Sequence, residues 1–365
     1  MIESRLQRLM VLQSAQFLDC VALMPGPNLR YLTGLTMHVS ERPTLALFPR
    51  QGPPTLILPV LEAQSLPTDL RSEMQLFPYS DEQGPQDAFQ VAAAALGLAG
   101  KRIGVEFLQM RVMELRRLEQ AAPDCQILAI EAFLQELRSC KDASELEQMR
   151  RAIHITEDAL LTTMDRVCPG QTEEEIAAEL RMAMLRAGAE EVPFVLVVAG
   201  PRTASPHAGP SSRPVEPGDV LIVDCGAVSG GYTADITRTF AIGEVPPELK
   251  RVYEVVRAAN EAGRAAVRPG ATAQEVDRAT RRVITEAGYG EYFVHRTGHG
   301  LGLEVHEPPY IVEGNAEVLQ PGMAFTVEPG VYIPGLGGVR IEDDVVVTSA
   351  GVETLTTYPR ELRSL

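Results

Sequence analysis

Residues 216–226, EPGDVLIVDCG, and residues 320–330, QPGMAFTVEPG, read as one pattern written twice. Each opens on a Pro-Gly turn, runs through an apolar strand, and closes on a carboxylate, one further residue and glycine. The carboxylates are Asp224 and Glu328. A second matched element lies upstream of each copy: VCPGQTEEEIAAELRMAMLRAG at 167–188 and VRPGATAQEVDRATRRVITEAG at 267–288. Both read as a Pro-Gly turn, a threonine cap, an amphipathic helix and a terminal glycine. Two elements repeated in the same order predict two αβ halves related by a pseudo-two-fold axis. Each half delivers an acid at the end of a buried strand, with a site between them.

A single acid ending an aliphatic run is best read as a strand reaching the surface, because a buried carboxylate without a partner is costly. Here the acids come in sets. Asp235 follows Asp224 in GGYTADITRTF, and Glu342 follows Glu328 in GGVRIEDDVVV, each after a double glycine that suits a hairpin. Four carboxylates converging on one axis repel unless cations neutralise them. A pair of divalent ions does so, and oxygen-rich ligation with imidazole suits Mn²⁺, Co²⁺ or Fe²⁺ better than a thiolate-type zinc site.

The imidazole comes from HRTGHGLGLEVHEPP, residues 295–309, which holds three of the six histidines in the chain. Gly298, Gly300 and Gly302 argue against a helix here, so His295, His299 and His306 need not share one role. His299 completes a metal site, whereas His38 and His154 read as structural or solvated. A phosphate cradle fits poorly, since no Lys or Arg occurs between His306 and Arg340. Ser205 lies near His207, but without a GxSxG elbow it does not suggest a serine hydrolase.

The rest of the chain sets bounds. The 365 residues suit two domains, a smaller N-terminal α/β domain over about 1–135 and the repeated α+β domain over 136–365. FLDCVALM, PTLALFP, PTLILPV and KRIGVEF read as N-terminal strands, SRLQRLMVLQSAQF and AFQVAAAALGL as helices. A long helical period follows from Glu136, with Ser144 and Glu145 near a start. The net charge of −16 argues against a nucleic-acid partner. Five scattered cysteines without CxxC spacing read as free thiols in a reducing compartment. Neither a signal peptide nor a membrane-spanning run is legible, so a cytoplasmic protein is expected.

The series Asp224, Asp235, His299, Glu328 and Glu342, with VDCGAVSGGYTADITRTF, HRTGHGLGLEVHEPP, PGMAFTVEPGVYIP and GGVRIEDD around it, resembles the pita-bread metallopeptidases. That group includes methionine aminopeptidases, prolidases and aminopeptidase P. The resemblance covers roughly 140–360, and LMPGPNLRYLTGL is similar to the creatinase-like N-terminal domain of the Xaa-Pro members. It implies a pita-bread catalytic domain and two divalent ions, Mn²⁺ first, with Co²⁺, Fe²⁺ or Zn²⁺ as alternatives. Asp224 and Glu342 would bridge the ions, Asp235 would chelate one, and His299 and Glu328 the other. Glu328 would also shuttle protons. His207 and His306 match the histidines that face the reacting peptide, His295 would line a proline pocket, and Arg340 would brace the acids. The presence of His295, Arg340 and a large N-terminal domain favours peptides with proline at the second position over methionine aminopeptidase substrates. The intact ligand set disfavours creatinase activity and a non-catalytic peptide-binding role. Within the Xaa-Pro enzymes, many prolidases use an arginine soon after the HE motif to hold a dipeptide carboxylate. Tyr310 or its neighbours stand there in this chain, which favours aminopeptidase P over prolidase, with Arg42 or a dimer partner as another source of charge. A homodimer through the N-terminal domain is the family expectation.

Overall fold

The computed structural model describes residues 2–365. The chain divides into two compact units, Met1–Arg138 and Ser139–Leu365.

The first unit is built on β1 (Cys20–Leu23), β2 (Leu45–Pro49), β3 (Thr55–Pro59), β4 (Gln75–Tyr79), β5 (Arg102–Val105) and β6 (Gln126–Ala129). The sheet order is β4-β3-β2-β1-β5-β6, antiparallel at its centre and parallel towards both edges. Four of these strands fall in the four apolar stretches expected to form them. Phe89 and Ala92 of helix Gln86–Ala95 and Leu118 of helix Val112–Ala121 close the core over Leu47, Ile57 and Ile103. Arg42 is committed within this unit to a bidentate pair with Asp81, at 2.8 Å from each oxygen.

The long helix expected from Glu136 is instead two helices, Glu131–Arg138 and Ala143–Met164. The break is chemical. The Asp142 carboxylate accepts the backbone N–H groups of Ser144 and Glu145 (2.8 and 2.9 Å), and Glu145 accepts that of Asp142 in return. This capping box starts a new helix rather than continuing an old one.

The second unit carries β7 (Glu191–Ala199), β8 (Val220–Ser229), β9 (Tyr232–Thr233) and β10 (Ile236–Ala241) in one half. The other half has β11 (Gly298–Gly300), β12 (Glu307–Ile311), β13 (Ala324–Val327), β14 (Gly330–Ile333), β15 (Gly337–Arg340), β16 (Asp343–Thr348) and β17 (Gly351–Thr354). The sheets run β10-β8-β7 and β12-β11-β13-β16-β17, with β14-β15 a separate hairpin. The two repeated helices are Glu173–Arg186 and Ala273–Glu286. Thr172 caps the first with Glu175, and Thr272 pairs with Glu275 at the second. The residue Thr172 bridges Pro214, and Thr272 bridges Val318 in the same way. The repeat read from sequence is thus a structural repeat.

Strand periodicity aims the acids. Leu221, Val223, Cys225 and Ala227 pack against Leu160, Ile176 and Leu180, so Asp224 lies on the opposite face of β8. Phe325 and Val327 pack against Val267 and Val276, which leaves Thr326 and then Glu328 on the opposite face of the second half. No helix among the described residues is long and apolar enough to cross a membrane.

Candidate active site

The acid-bearing faces meet in a cavity of about 720 Å³ lined by Asp224, Asp235, His299, Glu328 and Glu342. His207, His295, Arg296, His306 and Arg340 share its wall, and Pro193, Phe194, Leu196 and Val305 supply an apolar side. Asp224 reaches it from β8, directly opposite Thr237 of β10, and Asp235 from the residue before β10. Glu328 and Glu342 flank the pairing of β13 with β16, where Val327 lies opposite Asp343. The β14-β15 hairpin is inserted between them, so the second half is a longer version of the first.

His299 is held in β11, a short strand squeezed between β12 and β13. Its flanking glycine answers to that crowding: a Cβ on Gly298 would overlap the Thr326 carbonyl. The His299 Nδ1 lies 3.0 Å from the Gly300 carbonyl, which can only accept, so Nδ1 carries the proton and Nε2 the lone pair. That lone pair faces Asp235 Oδ2 at 3.6 Å and Glu328 Oε1 at 3.4 Å. Burial, aided by His306, pushes His299 down to about 3, so it does not serve as a cation for these acids.

The acids are equally short of positive charge. Burial, then Glu342 and Asp224, drives Asp235 well above the usual carboxylate range. Burial, then Glu328 and Asp224, does the same to Glu342. Glu328 is pushed up to about 8 by burial, against the pull of Arg340. One oxygen of Asp224, Oδ1, is buried without a hydrogen-bond partner. Ligand atoms of Asp235, His299 and Glu342 all lie within 4.8 Å of one another. Electron-rich donors this close, in a cavity that also holds the orphaned Asp224 oxygen, match what divalent cations require.

Arg340 is the cation that pairs directly with these acids. It donates to Asp224 Oδ2 at 2.6 Å, to Thr237 Oγ1 at 3.1 Å and to the Tyr332 hydroxyl at 2.9 Å. Thr237 in turn donates to Glu342 at 2.6 Å. The Tyr332 hydroxyl lies 2.9 Å from His295 Nε2, while His295 Nδ1 donates to the Arg296 carbonyl at 2.7 Å. Burial pushes His295 down to about 4, so it is neutral and accepts from Tyr332. His306 reaches the cavity edge-on to His299, with ring centroids 4.1 Å apart.

Tyr310 is not brought into this wall. It is 38% exposed, and its ring carries the Arg296 guanidinium, whose carbon lies 4.6 Å from the ring centre. His38 and His154 are both exposed. Sequence reading missed Arg296, Tyr332, Thr237 and Thr326. Three of them carried a signal. Thr237 and Thr326 each sit two residues from an acid, on the same strand face, and Arg296 adjoins His295. Tyr332 had none, because the β14-β15 hairpin alone brings it back.

The profile of metallopeptidase family M24 matches residues 147–349, and that of the creatinase/prolidase N-terminal domain matches residues 5–140. The chain belongs to metallopeptidase family M24. As an M24 protein it joins a creatinase-type α/β domain to a pita-bread catalytic domain. It is 40% identical over 343 residues to the probable dipeptidase PepE of Mycobacterium tuberculosis, covering 94% of this chain and 91% of that one. Among solved structures it resembles a prolidase from Thermococcus sibiricus, with TM-score 0.94, 34% identity and coverage of 100% and 99%. An X-Pro aminopeptidase from Thermotoga maritima is similar with TM-score 0.87, 34% identity and coverage of 99% of each chain. M24 membership implies divalent metal ions, and the donors around Asp235, His299 and Glu342 suit them.

Proposed function

We propose that this chain is a metal-dependent Xaa-Pro dipeptidase. Asp224, Asp235, His299, Glu328 and Glu342 would hold two divalent ions, with Mn²⁺ preferred by an oxygen-rich donor set carrying one imidazole. Bound there, the ions would neutralise the clustered acids and supply Lewis acidity and a lowered pKa of water.

The chain's own groups do the rest. The nitrogen of an Xaa-Pro bond carries no hydrogen, so it must gain a proton as it leaves. Glu328, buried and pushed up to about 8, suits a group that takes a proton from attacking water and returns it to that nitrogen. His207 and His306 reach the cavity from separate loops and are placed to donate to the carbonyl oxygen as charge develops on it. Pro193, Phe194 and Leu196, with neutral His295, offer an apolar seat for the proline ring.

Arg296 carries the choice of dipeptides over longer chains. It lines the cavity, forms no salt bridge to a carboxylate among the described residues, and stacks on Tyr310. A cation held this way is available to a substrate carboxylate, and a dipeptide places its carboxylate one residue beyond the scissile bond. No arginine stands soon after the HE motif, which on sequence alone favours aminopeptidase P. Arg296 supplies that charge from before β11, with Tyr310 as its platform. Relatives named dipeptidase and prolidase support the same reading.

The test is a comparison of Ala-Pro, Ala-Pro-amide and Arg-Pro-Pro on Mn²⁺-loaded enzyme. Ala-Pro should be cleaved best, and faster cleavage of Arg-Pro-Pro would return the reading to aminopeptidase P. In Arg296→Ala, KM for Ala-Pro should rise about 10- to 100-fold, the worth of a charge-assisted contact. The amide-capped peptide should respond much less, and an equal response would remove Arg296 from carboxylate recognition.

A further inference from the structure

Lys141 and Glu307 form a buried ion pair outside the groups assigned so far. Lys141 Nζ lies 2.6 Å from Glu307 Oε1, with side chains 1% and 4% exposed. Lys141 Nζ also donates to the Ser139 carbonyl at 3.3 Å. Neither residue lines the cavity. A pair removed this fully from water is a poor device for stability, because desolvation offsets the attraction and apolar residues of similar volume hold a fold as well.

The location of the pair points to another use. Glu307 is the first residue of β12 and directly follows His306. His306 is a bend residue just ahead of the strand. Glu307, held on Lys141, fixes the backbone at the residue that follows it, while the His306 ring lines the cavity. Little else fixes that ring. The His306 ring has no hydrogen bond among the described residues and packs edge-on against His299. The ladder between β11 and β12 slips register between His299 and Gly300, so strand pairing alone does not set the height of His306.

The anchor is itself fastened. The Lys141 backbone N–H donates to the Gly322 carbonyl at 2.8 Å, and Cys140 bridges Met323. The loop that carries His306 makes room for the pair at Gly302, where a Cβ would lie 2.8 Å from Glu307 Oε1 and 3.0 Å from Lys141 Cε. The segment ahead of helix Ala143–Met164 is thus tied to the loop between β11 and β12.

We propose that Lys141 is a positioning residue for the reaction, setting the direction of His306 through Glu307. The inference rests on the reading that His306 faces the reacting peptide. Lys141→Met with Glu307→Met removes both charges and keeps the volume filled, so the double variant should retain a near wild-type Tm and full metal content. Its kcat on Ala-Pro should fall roughly 10- to 100-fold with KM little changed, the scale expected when a reacting group is misplaced by about an ångström. Added to His306→Ala, the double substitution should cost nothing more. Wild-type kcat in the double variant, or losses that multiply with those of His306→Ala, would overturn the proposal.

Two further measurements keep the test decisive. Should the double variant not fold, Lys141→Arg keeps the charge and changes the reach. It should lower kcat at unchanged Tm, and an unchanged kcat counts against positioning. The His306 ring resonance, followed by NMR in labelled full-length protein, should move in these variants whatever the substrate. An unmoved resonance overturns the inference, whereas an enzyme without Xaa-Pro activity and a moved resonance would refute the functional reading alone.

Discussion

Asp235→Ala should lose roughly 1000-fold or more in kcat/KM on Ala-Pro, together with bound metal. Replacing a group that merely orients a metal ligand typically costs 10- to 100-fold, so loss of a ligand itself should cost more. The Asp235 carboxylate is 6% exposed and faces His299 Nε2 at 3.6 Å, and its backbone N–H donates to Asp344 at 3.0 Å. Metal content by atomic absorption and turnover should fall together. Full activity with full metal content in Asp235→Ala would falsify the ligand assignment.

The second large effect concerns Arg340. Arg340→Met should destabilise the metal-free protein by about 3–5 kcal/mol, because it leaves the other half of a largely buried pair without its counter-charge. That half is Asp224, whose Oδ2 takes the Arg340 hydrogen bond at 2.6 Å and whose Oδ1 has no partner. The same substitution removes the donor to Tyr332 and loosens His295. Activity should therefore fall even after metal is restored. Arg340→Lys should recover part of the stability, but not the forked contact to Asp224, Thr237 and Tyr332 at once. Urea denaturation with chelator present reads the first effect, and a rise in KM for proline substrates reads the second. Stability equal to wild type would show that the pair does not brace the acids.

The same electrostatics predict a pH dependence. Asp235, Glu342 and Glu328 are all raised above their ordinary values, Glu328 to about 8. Raised carboxylates stabilise the fold fully below their unfolded pKa near 4, and that contribution is lost as pH climbs through the folded values. Metal-free protein should therefore melt lower at pH 9 than at pH 6, by about 5 °C or more for a chain of this size. Excess Mn²⁺ should remove most of that difference. A Tm independent of pH under chelation would show that the folded protein does not hold these acids above their ordinary values.

Much of this protein is readable in one dimension. Two copies of a turn, a capped helix and an acid-ended strand sit far apart in the chain yet keep the same order, which specifies two αβ halves and the two acids they deliver. Period-two alternation decides that Asp224, Thr326 and Glu328 face away from the helices, because Leu221, Val223, Phe325 and Val327 must face them. That Asp224, Asp235, His299, Glu328 and Glu342 share one cavity with His207, His295, His306 and Arg340 was legible because each carries chemistry in its own residue type and local setting. Tyr310 lies outside the cavity wall, under the Arg296 guanidinium, which its place in the sequence did not reveal.

What the tertiary structure alone decided is how these groups are wired. Tyr332 touches His295 and Arg340 because the β14-β15 hairpin folds back. Arg296 remains available because Tyr310, opposite His299 in the β11-β12 ladder, offers it a ring rather than a carboxylate. Lys141 meets Glu307 across 166 residues of chain. Such contacts are set by backbone path, not by local pattern, since hydrogen bonds and ion pairs act over a few ångströms wherever the chain brings the atoms together. The sequence determined which acids and imidazoles this protein has and on which faces they lie. The fold decided which cation pairs with them, which one rests on an aromatic ring, and which buried ion pair anchors the start of β12.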